Sequence, residues 1–217
     1  MGRADVFRLM LVTDRRLCEE DPASVIERAL QGGPAAIQLR ENDLPSGELL
    51  KLAGRLRRIT REAAAPLIVN HRPDIAIAVG ADGVHLGWRS LAVRDVRKLA
   101  GNRLIVGVSC HDAESLRRAE ADGADYAVLG PVYPTPSKAG LVEPLGPAGL
   151  RKCVEQTELP VIAIGGITPG NAGEAFACGA TGVAAIRSLL TASDPATAVR
   201  RMLSASRDRP LQGDHPG

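Results

Sequence analysis

Aromatic residues are nearly missing from this chain: two Phe, two Tyr and one Trp make up 2% of its 217 residues. A protein that binds single-stranded nucleic acid stacks bases on such rings, so their scarcity argues against that partner. An excess of one charge is missing too. With 27 Lys+Arg against 25 Asp+Glu the net charge is +2, too weak a field to gather nucleic acid or an anionic membrane. Cysteine is sparse: Cys18, Cys110, Cys153 and Cys178 stand far apart, with no C-x-x-C pair and no histidine cluster beside them. That leaves neither a metal knuckle nor a dithiol redox site and suits a reducing compartment. Long apolar runs are also absent; the one near the amino terminus, Phe7–Val12, is broken by Arg8 and ended by Thr13 and Asp14. These absences predict a cytoplasmic protein with small-molecule partners and neither nucleic acid nor a membrane among them.

What is present is a 45% hydrophobic chain, enough to fill one sizeable core. Short runs rich in Val, Ile and Leu alternate with longer, charged, amphipathic stretches from end to end, the β/α pattern. Strands are predicted at Arg8–Thr13, Ala35–Leu39, Pro66–Asn70, Gly83–Leu86, Leu104–Ser109, Tyr126–Leu129, Val161–Ile164 and Val183–Ile186. Helices are predicted at Pro22–Gln31, Gly47–Ala64, Ala92–Leu99, Ala113–Ala121 and Pro195–Leu203, among others. An internal repeat sharpens the choice of fold. Gly80-Ala-Asp-Gly-Val-His-Leu-Gly87, Gly123-Ala-Asp-Tyr-Ala-Val-Leu-Gly130 and Gly179-Ala-Thr-Gly-Val-Ala-Ala-Ile186 are variants of one unit, and Gly32 to Leu39 is a weaker copy. The copies fall on every second strand, with a glycine placed to end the preceding helix. A closed eight-stranded barrel repeats in this way and a doubly wound sheet does not. The expectation is an α/β protein with a single-domain (β/α)₈ TIM barrel over residues 1–203, followed by a flexible polar tail over 204–217.

In such a barrel the loops after the strands carry the chemistry. The polar residues there are Gln38 and Arg40, Asn70 and His71, His85, Ser109 and His111, the long loop Gly130–Gly140, Gly165 and Gly166, and Ala185-Ile186-Arg187. Gly165 and Gly166, with the helix expected near Gly170 and the end of the eighth strand, read as a phosphate site built from backbone N–H groups. Arg40, Asn70 and Lys138 offer cationic and amide donors to a second anionic group. His71 is the histidine that best faces a ligand. His85 reads as a lumen residue and His111 as a supporting one, while Trp88 is read equally as a stacking wall or as cover for the mouth.

Taken together, Gln38-Leu-Arg40-Glu41, Ile68-Val-Asn70, Gly83-Val-His85-Leu-Gly87, Gly107-Val-Ser109-Cys-His111, Gly130-Pro-Val-Tyr-Pro-Thr135-Pro-Ser137-Lys138 and Ile164-Gly-Gly166-Ile-Thr168-Pro169 closely resemble the thiamine phosphate synthase family, which includes a thiazole tautomerase branch. The resemblance runs in order from Leu9 to Met202. It implies that hydroxymethylpyrimidine pyrophosphate is joined to hydroxyethylthiazole phosphate, giving thiamine phosphate and pyrophosphate. Carried over by position, Arg40, Asn70, Ser109 and Lys138 hold the pyrophosphate and Gln38 lies near the pyrimidine. Thr135, Ser137, Gly165, Gly166 and the Ala185-Ile186 backbone hold the thiazole phosphate. The departures are specific. The family binds Mg²⁺ through acidic residues at the positions of His71 and Ser90 here, which leaves that metal without its protein carboxylates. A family lysine is Asn42 here, and the tautomerase branch's catalytic histidine is Pro131. Asp43, Asp74 and Glu143 are the carboxylates that a relocated metal could use. The alternatives to a synthase are a tautomerase-like enzyme, with His71 as its base, and a non-catalytic phosphate-binding homologue; a homodimer is left open.

Overall fold

The computed structural model describes residues 7–135 and 142–205. Eight parallel strands close into a barrel in sequence order: β1 (Leu9–Val12), β2 (Ala36–Leu39), β3 (Leu67–Asn70), β4 (Gly83–Leu86), β5 (Ile105–Cys110), β6 (Tyr126–Leu129), β7 (Val161–Ile164) and β8 (Gly182–Ala185). Leu9 of β1 pairs with Val183 of β8 and Leu11 with Ala185, so the sheet has no open edge. The helices between and after the strands are α1 (Pro22–Leu30), α2 (Ser46–Glu62), α3 (Pro73–Val79), α4 (Val93–Ala100), α5 (Ala113–Ala121), α6 (Gly146–Val154), α7 (Ala172–Ala177), α8 (Arg187–Leu190) and α9 (Pro195–Ser204).

The predicted barrel is therefore the observed one, with one local correction. β8 ends at Ala185; Ile186, with φ −115° and ψ −85°, opens α8 instead of closing the strand. A four-residue helix is too short to show a period of 3.6, which is why α8 was not read from the sequence. Residues 206–217, most of the expected tail, lie outside the described residues. Among the described residues no helix is long and apolar enough to cross a membrane.

Alternation along each strand divides the core in two. Leu9, Leu11, Ile37, Leu39, Leu67 and Val69 face outward and pack with the helices. Met10, Val12, Ala36, Ile68, Tyr126, Val128, Ile162 and Ala184 fill the lumen, and Phe7 packs against them. The Phe7 ring stacks on Tyr126 with centroids 4.9 Å apart. Because Phe7 precedes β1, this stack closes the amino end of the barrel.

The sequence repeat now has a physical meaning. Gly80, Gly123 and Gly179 have φ of 64°, 80° and 96°, the left-handed conformation that ends a helix and that L side chains resist. The aspartate two residues on ties neighbouring strands at their starts. Asp82 Oδ2 accepts the Leu67 N–H at 2.8 Å and takes Arg57 Nη1 at 2.6 Å. Asp125 Oδ2 likewise accepts the Val106 N–H at 2.7 Å and takes Arg97 Nη2 at 2.7 Å. Both braces lie at the amino ends of the strands, opposite the face where the loops carry function.

Candidate active site

The inward positions nearest the carboxyl ends of β2, β3, β4 and β5 are Gln38, Asn70, His85 and Ser109, four polar residues on consecutive strands. Gln38, Asn70 and His85 are 4%, 7% and 3% exposed, so each needs a hydrogen-bond partner to offset its loss of water. Gln38 Nε2 donates to Asn70 Oδ1 at 3.0 Å, and Asn70 Nδ2 donates to Asn42 Oδ1 at 3.2 Å. This chain fixes which face of the Asn70 amide points which way. Asn42 thus acts as an acceptor that orients Asn70.

His85 lies between Ser109 Oγ, 2.8 Å from Nε2, and the Tyr126 hydroxyl, 3.4 Å from Nδ1. Burial, and then the charges of His71 and Arg40, push its pKa down to about 3, so the ring is neutral near pH 7 and carries one proton. Tyr126 is buried, its hydroxyl is pushed above the usual range by that burial, and it has no other hydrogen-bond partner among the described residues. Its proton therefore goes to Nδ1, which puts the ring proton on Nε2 and makes His85 a donor to Ser109. Ser109, exposed at the mouth, is left with its own proton to give to a ligand. β5 admits the tyrosine ring by having glycine at 107, where a Cβ would lie 2.0 Å from Tyr126 Cζ.

Beside this row stands His71, in the left-handed region with φ 61°, where a side chain other than glycine is strained. The conformation is held from several sides. The His71 N–H donates to His85 O at 2.9 Å, its Nδ1 is in close contact with Ser90 Oγ, and its ring lies so near Gly87 that a Cβ there would come within 2.8 Å of Cε1. Ser90 Oγ also accepts the Gly87 N–H at 2.9 Å. Burial, then the charges of Arg40 and Arg89, lower the His71 pKa below its ordinary value. The Arg40 backbone N–H is tied to Thr13 Oγ1 at 2.9 Å, while its guanidinium has no hydrogen-bond partner among the described residues. Asp43 and Asp74 are already engaged: Asp43 takes Arg15 at 2.6 and 2.9 Å, and Asp74 takes Arg72 at 2.9 and 2.6 Å. Glu143 is exposed. None of the three is placed beside His71 and Ser90 by any hydrogen bond, so the idea of a relocated metal carboxylate has no geometric support. Among the described residues no group of three or more His, Cys, Asp or Glu side chains is arranged to hold a metal.

The other side of the mouth is backbone. The loop after β6 runs against the end of β7, with the Val132 N–H on Ile164 O at 2.8 Å and the Tyr133 N–H on Gly165 O at 3.0 Å. Gly165 and Gly166 have φ of 96° and 65°. A Cβ at Gly165 would lie 2.6 Å from Pro131 Cα, and one at Gly166 2.7 Å from Tyr133 Cβ. The glycine pair is thus required by the approach of the β6 loop, a need separate from the phosphate site of backbone N–H groups expected from the sequence. Asn171 braces the turn, donating to Gly166 O at 2.9 Å and accepting the Thr168 N–H at 2.8 Å. Ser188 Oγ donates to Ile167 O at 2.7 Å and holds α8 against it. The first N–H groups of α8 follow Ala185 and Ile186 directly and have no acceptor within their own helix.

Ala185 is buried, and Ile186 and Thr135 are half-buried on this side. Ser137 and Lys138 lie outside the described residues. His111 is a brace, its Nδ1 2.6 Å from Gly130 O. Trp88 does not cover the mouth: it is 89% exposed, with the Arg89 guanidinium 4.9 Å from its ring centroid. Sequence reading missed Tyr126, Arg89 and α8. For Tyr126 a signal existed, since the repeat has Gly83 and Gly182 at the matching positions and a bulky ring only here.

The family model described as thiamine monophosphate synthase matches residues 9–189, which span every strand of the barrel. A putative thiamine-phosphate synthase of Geobacter sulfurreducens is 45% identical over 205 residues, 94% of this chain and 96% of that one. A thiamine-phosphate synthase of Moorella thermoacetica is 45% identical over 178 residues, 82% of this chain and 85% of its own length. Among solved structures, thiamine phosphate pyrophosphorylase from Pyrococcus furiosus superposes with a TM-score of 0.87 at 36% identity, covering 95% of this chain and 98% of that one. A family match across the whole barrel, with relatives similar over nearly their full lengths, makes this chain a member of the thiamine monophosphate synthase family.

Proposed function

We propose that this protein is a transferase of thiamine biosynthesis that joins hydroxymethylpyrimidine pyrophosphate to hydroxyethylthiazole phosphate, giving thiamine phosphate and pyrophosphate. The observation that carries the reading is the row Gln38, Asn70, His85 and Ser109 on four consecutive strands, with Arg40 at the end of β2, in a chain whose residues 9–189 match the family model. In the reaction the bond between the pyrimidine methylene carbon and the pyrophosphate oxygen breaks. The electron pair leaves with pyrophosphate, and the thiazole nitrogen closes on the carbocation. The protein's task is to stabilise the growing charge on the leaving group with donors already in place.

Ser109 suits that role, because its hydrogen bond from His85 leaves its own proton free for a phosphate oxygen. Arg40 supplies positive charge, Asn70 an amide fixed by Gln38 and Asn42, and Lys138 a second cation. Gln38 is assigned to the pyrimidine. Thr135, Ser137, Gly165, Gly166 and the Ala185-Ile186 backbone are assigned to the thiazole phosphate, beside the open first turn of α8. Mg²⁺ does not fit the residues present. It requires oxygen ligands of high charge density, and the two positions at which the family has carboxylates are an imidazole and a hydroxyl in contact with each other. No step here is routed through a metal.

The tautomerase alternative is not favoured. The residue at its catalytic position, Pro131, has no ionisable group, and the nearby His111 nitrogen is taken up by Gly130 O. The test is an assay of purified protein with both substrates, following thiamine phosphate and pyrophosphate in equal amounts. Failure to form either one, with the thiazole carboxylate phosphate turned over instead, would transfer the reading to the tautomerase branch.

A further inference from the structure

The mouth between β2 and β4 is short of negative charge. Four carboxylates on its flanking loops are held by arginines: Asp14 by Arg16 at 2.9 Å, Glu41 by Arg15 at 3.3 Å, Asp43 by Arg15 at 2.6 Å and Asp74 by Arg72 at 2.6 Å. What remains is the guanidinium of Arg40, unpaired among the described residues, the Asn70 amide, the Ser109 hydroxyl and the loop Gly87–Ser90. That loop brings Arg89, which is exposed and laid over the Trp88 ring, into the same turn as Ser90, the residue in contact with His71. Both Arg40 and Arg89 act on His71 through their charge.

Resting on the synthase reading, we propose that this mouth binds a diphosphate group without a metal ion, with Arg40 and Arg89 supplying the positive charge and the His71–Ser90 contact closing the metal's place. The chemistry favours this over a metal. A divalent cation here would be near two guanidinium groups, while Asp14, Glu41, Asp43 and Asp74 are already held by arginines and do not offset the repulsion. A guanidinium presents a planar fork of N–H donors that matches phosphate oxygens, and its charge does not depend on pH in the working range. Stacking on Trp88 limits the orientations that Arg89 must give up on binding. His71 and Ser90 satisfy one another, and Ser90 is further fixed by the Gly87 N–H, so the pair is neutral filling in place of two anions.

Calorimetry with inorganic pyrophosphate, in EDTA and again with added Mg²⁺, tests the proposal on the intact protein. Wild type should bind in EDTA, with little gain from Mg²⁺. Arg89→Ala, at an exposed position, should leave the thermal melt unchanged and weaken binding in EDTA about tenfold, the size of one charge-assisted contact. The double change His71→Asp with Ser90→Asp should abolish binding in EDTA and restore it with Mg²⁺. Wild-type binding that appears only with Mg²⁺ overturns the proposal and leaves the synthase reading standing, as does full affinity in Arg89→Ala. No binding of pyrophosphate under either condition would remove both.

Discussion

At the scale of single residues, His85 is the group whose burial has the plainest consequence. In the fold it stays neutral down to about pH 3, whereas in the unfolded chain it takes a proton near its ordinary pKa of about 6.5. Between those values the unfolded state binds more protons, so stability is full above about pH 6.5 and is lost as pH falls toward 3, by up to about 1.4 kcal/mol per pH unit. His85→Gln, which has no proton to gain, should flatten that part of a stability profile measured by urea unfolding; an unchanged slope would refute the assignment. Ser109 gives the matching functional prediction. It is exposed at the mouth, so Ser109→Ala should fold normally while kcat falls by about 10² or more, the usual loss for one preorganised donor to developing negative charge. Wild-type turnover in that variant would show that the hydroxyl does not face the leaving group.

At the scale of elements, the barrel depends on small residues where neighbouring elements approach closely. Gly107→Ala would put a methyl group 2.0 Å from the Tyr126 ring, and the displaced ring would also lose its contact with His85. We expect a loss of about 1–3 kcal/mol, the common cost of overpacking, together with reduced activity. Denaturant midpoints and kcat on the same sample would check both parts. At the opposite end of the strands, Asp125→Ala removes the acceptor of the Val106 N–H and the partner of Arg97. It should cost about 1–3 kcal/mol with kcat unchanged, because the brace lies on the face away from the mouth. The repeat that contains Asp82 and Asp125 is what made the barrel legible in the sequence. Its glycines and aspartates mark strand starts wherever they recur, and the short apolar runs did the rest. The same rule could not reveal α8, which is too short for periodicity. Nor could it reveal the Tyr126–His85–Ser109 chain, whose members are joined only by register: His85 pairs with Gly107, and Gly107 with Tyr126. Each residue proposed for the site stands singly near a strand end in the sequence. What stayed illegible was how they orient each other: the side-chain link between Asn42 and Asn70, and the fact that Gly165 and Gly166 serve the β6 loop.

At the scale of the whole molecule, stability and chemistry occupy opposite ends. The Asp82 and Asp125 braces and the Phe7–Tyr126 stack secure the amino ends of the strands, while Gln38, Asn70 and Ser109 lie at the carboxyl ends. That stack does more than stabilise. With Phe7, Met10, Ile68, Tyr126 and Ile162 packed across the lumen, the barrel is a cup rather than a tube. Traffic is therefore confined to the carboxyl ends of the strands, where substrates enter and products leave by the same face. A cup of this kind cannot be drained from below, so a substitution that loosens the Phe7–Tyr126 stack should lower stability without opening a second route to the site.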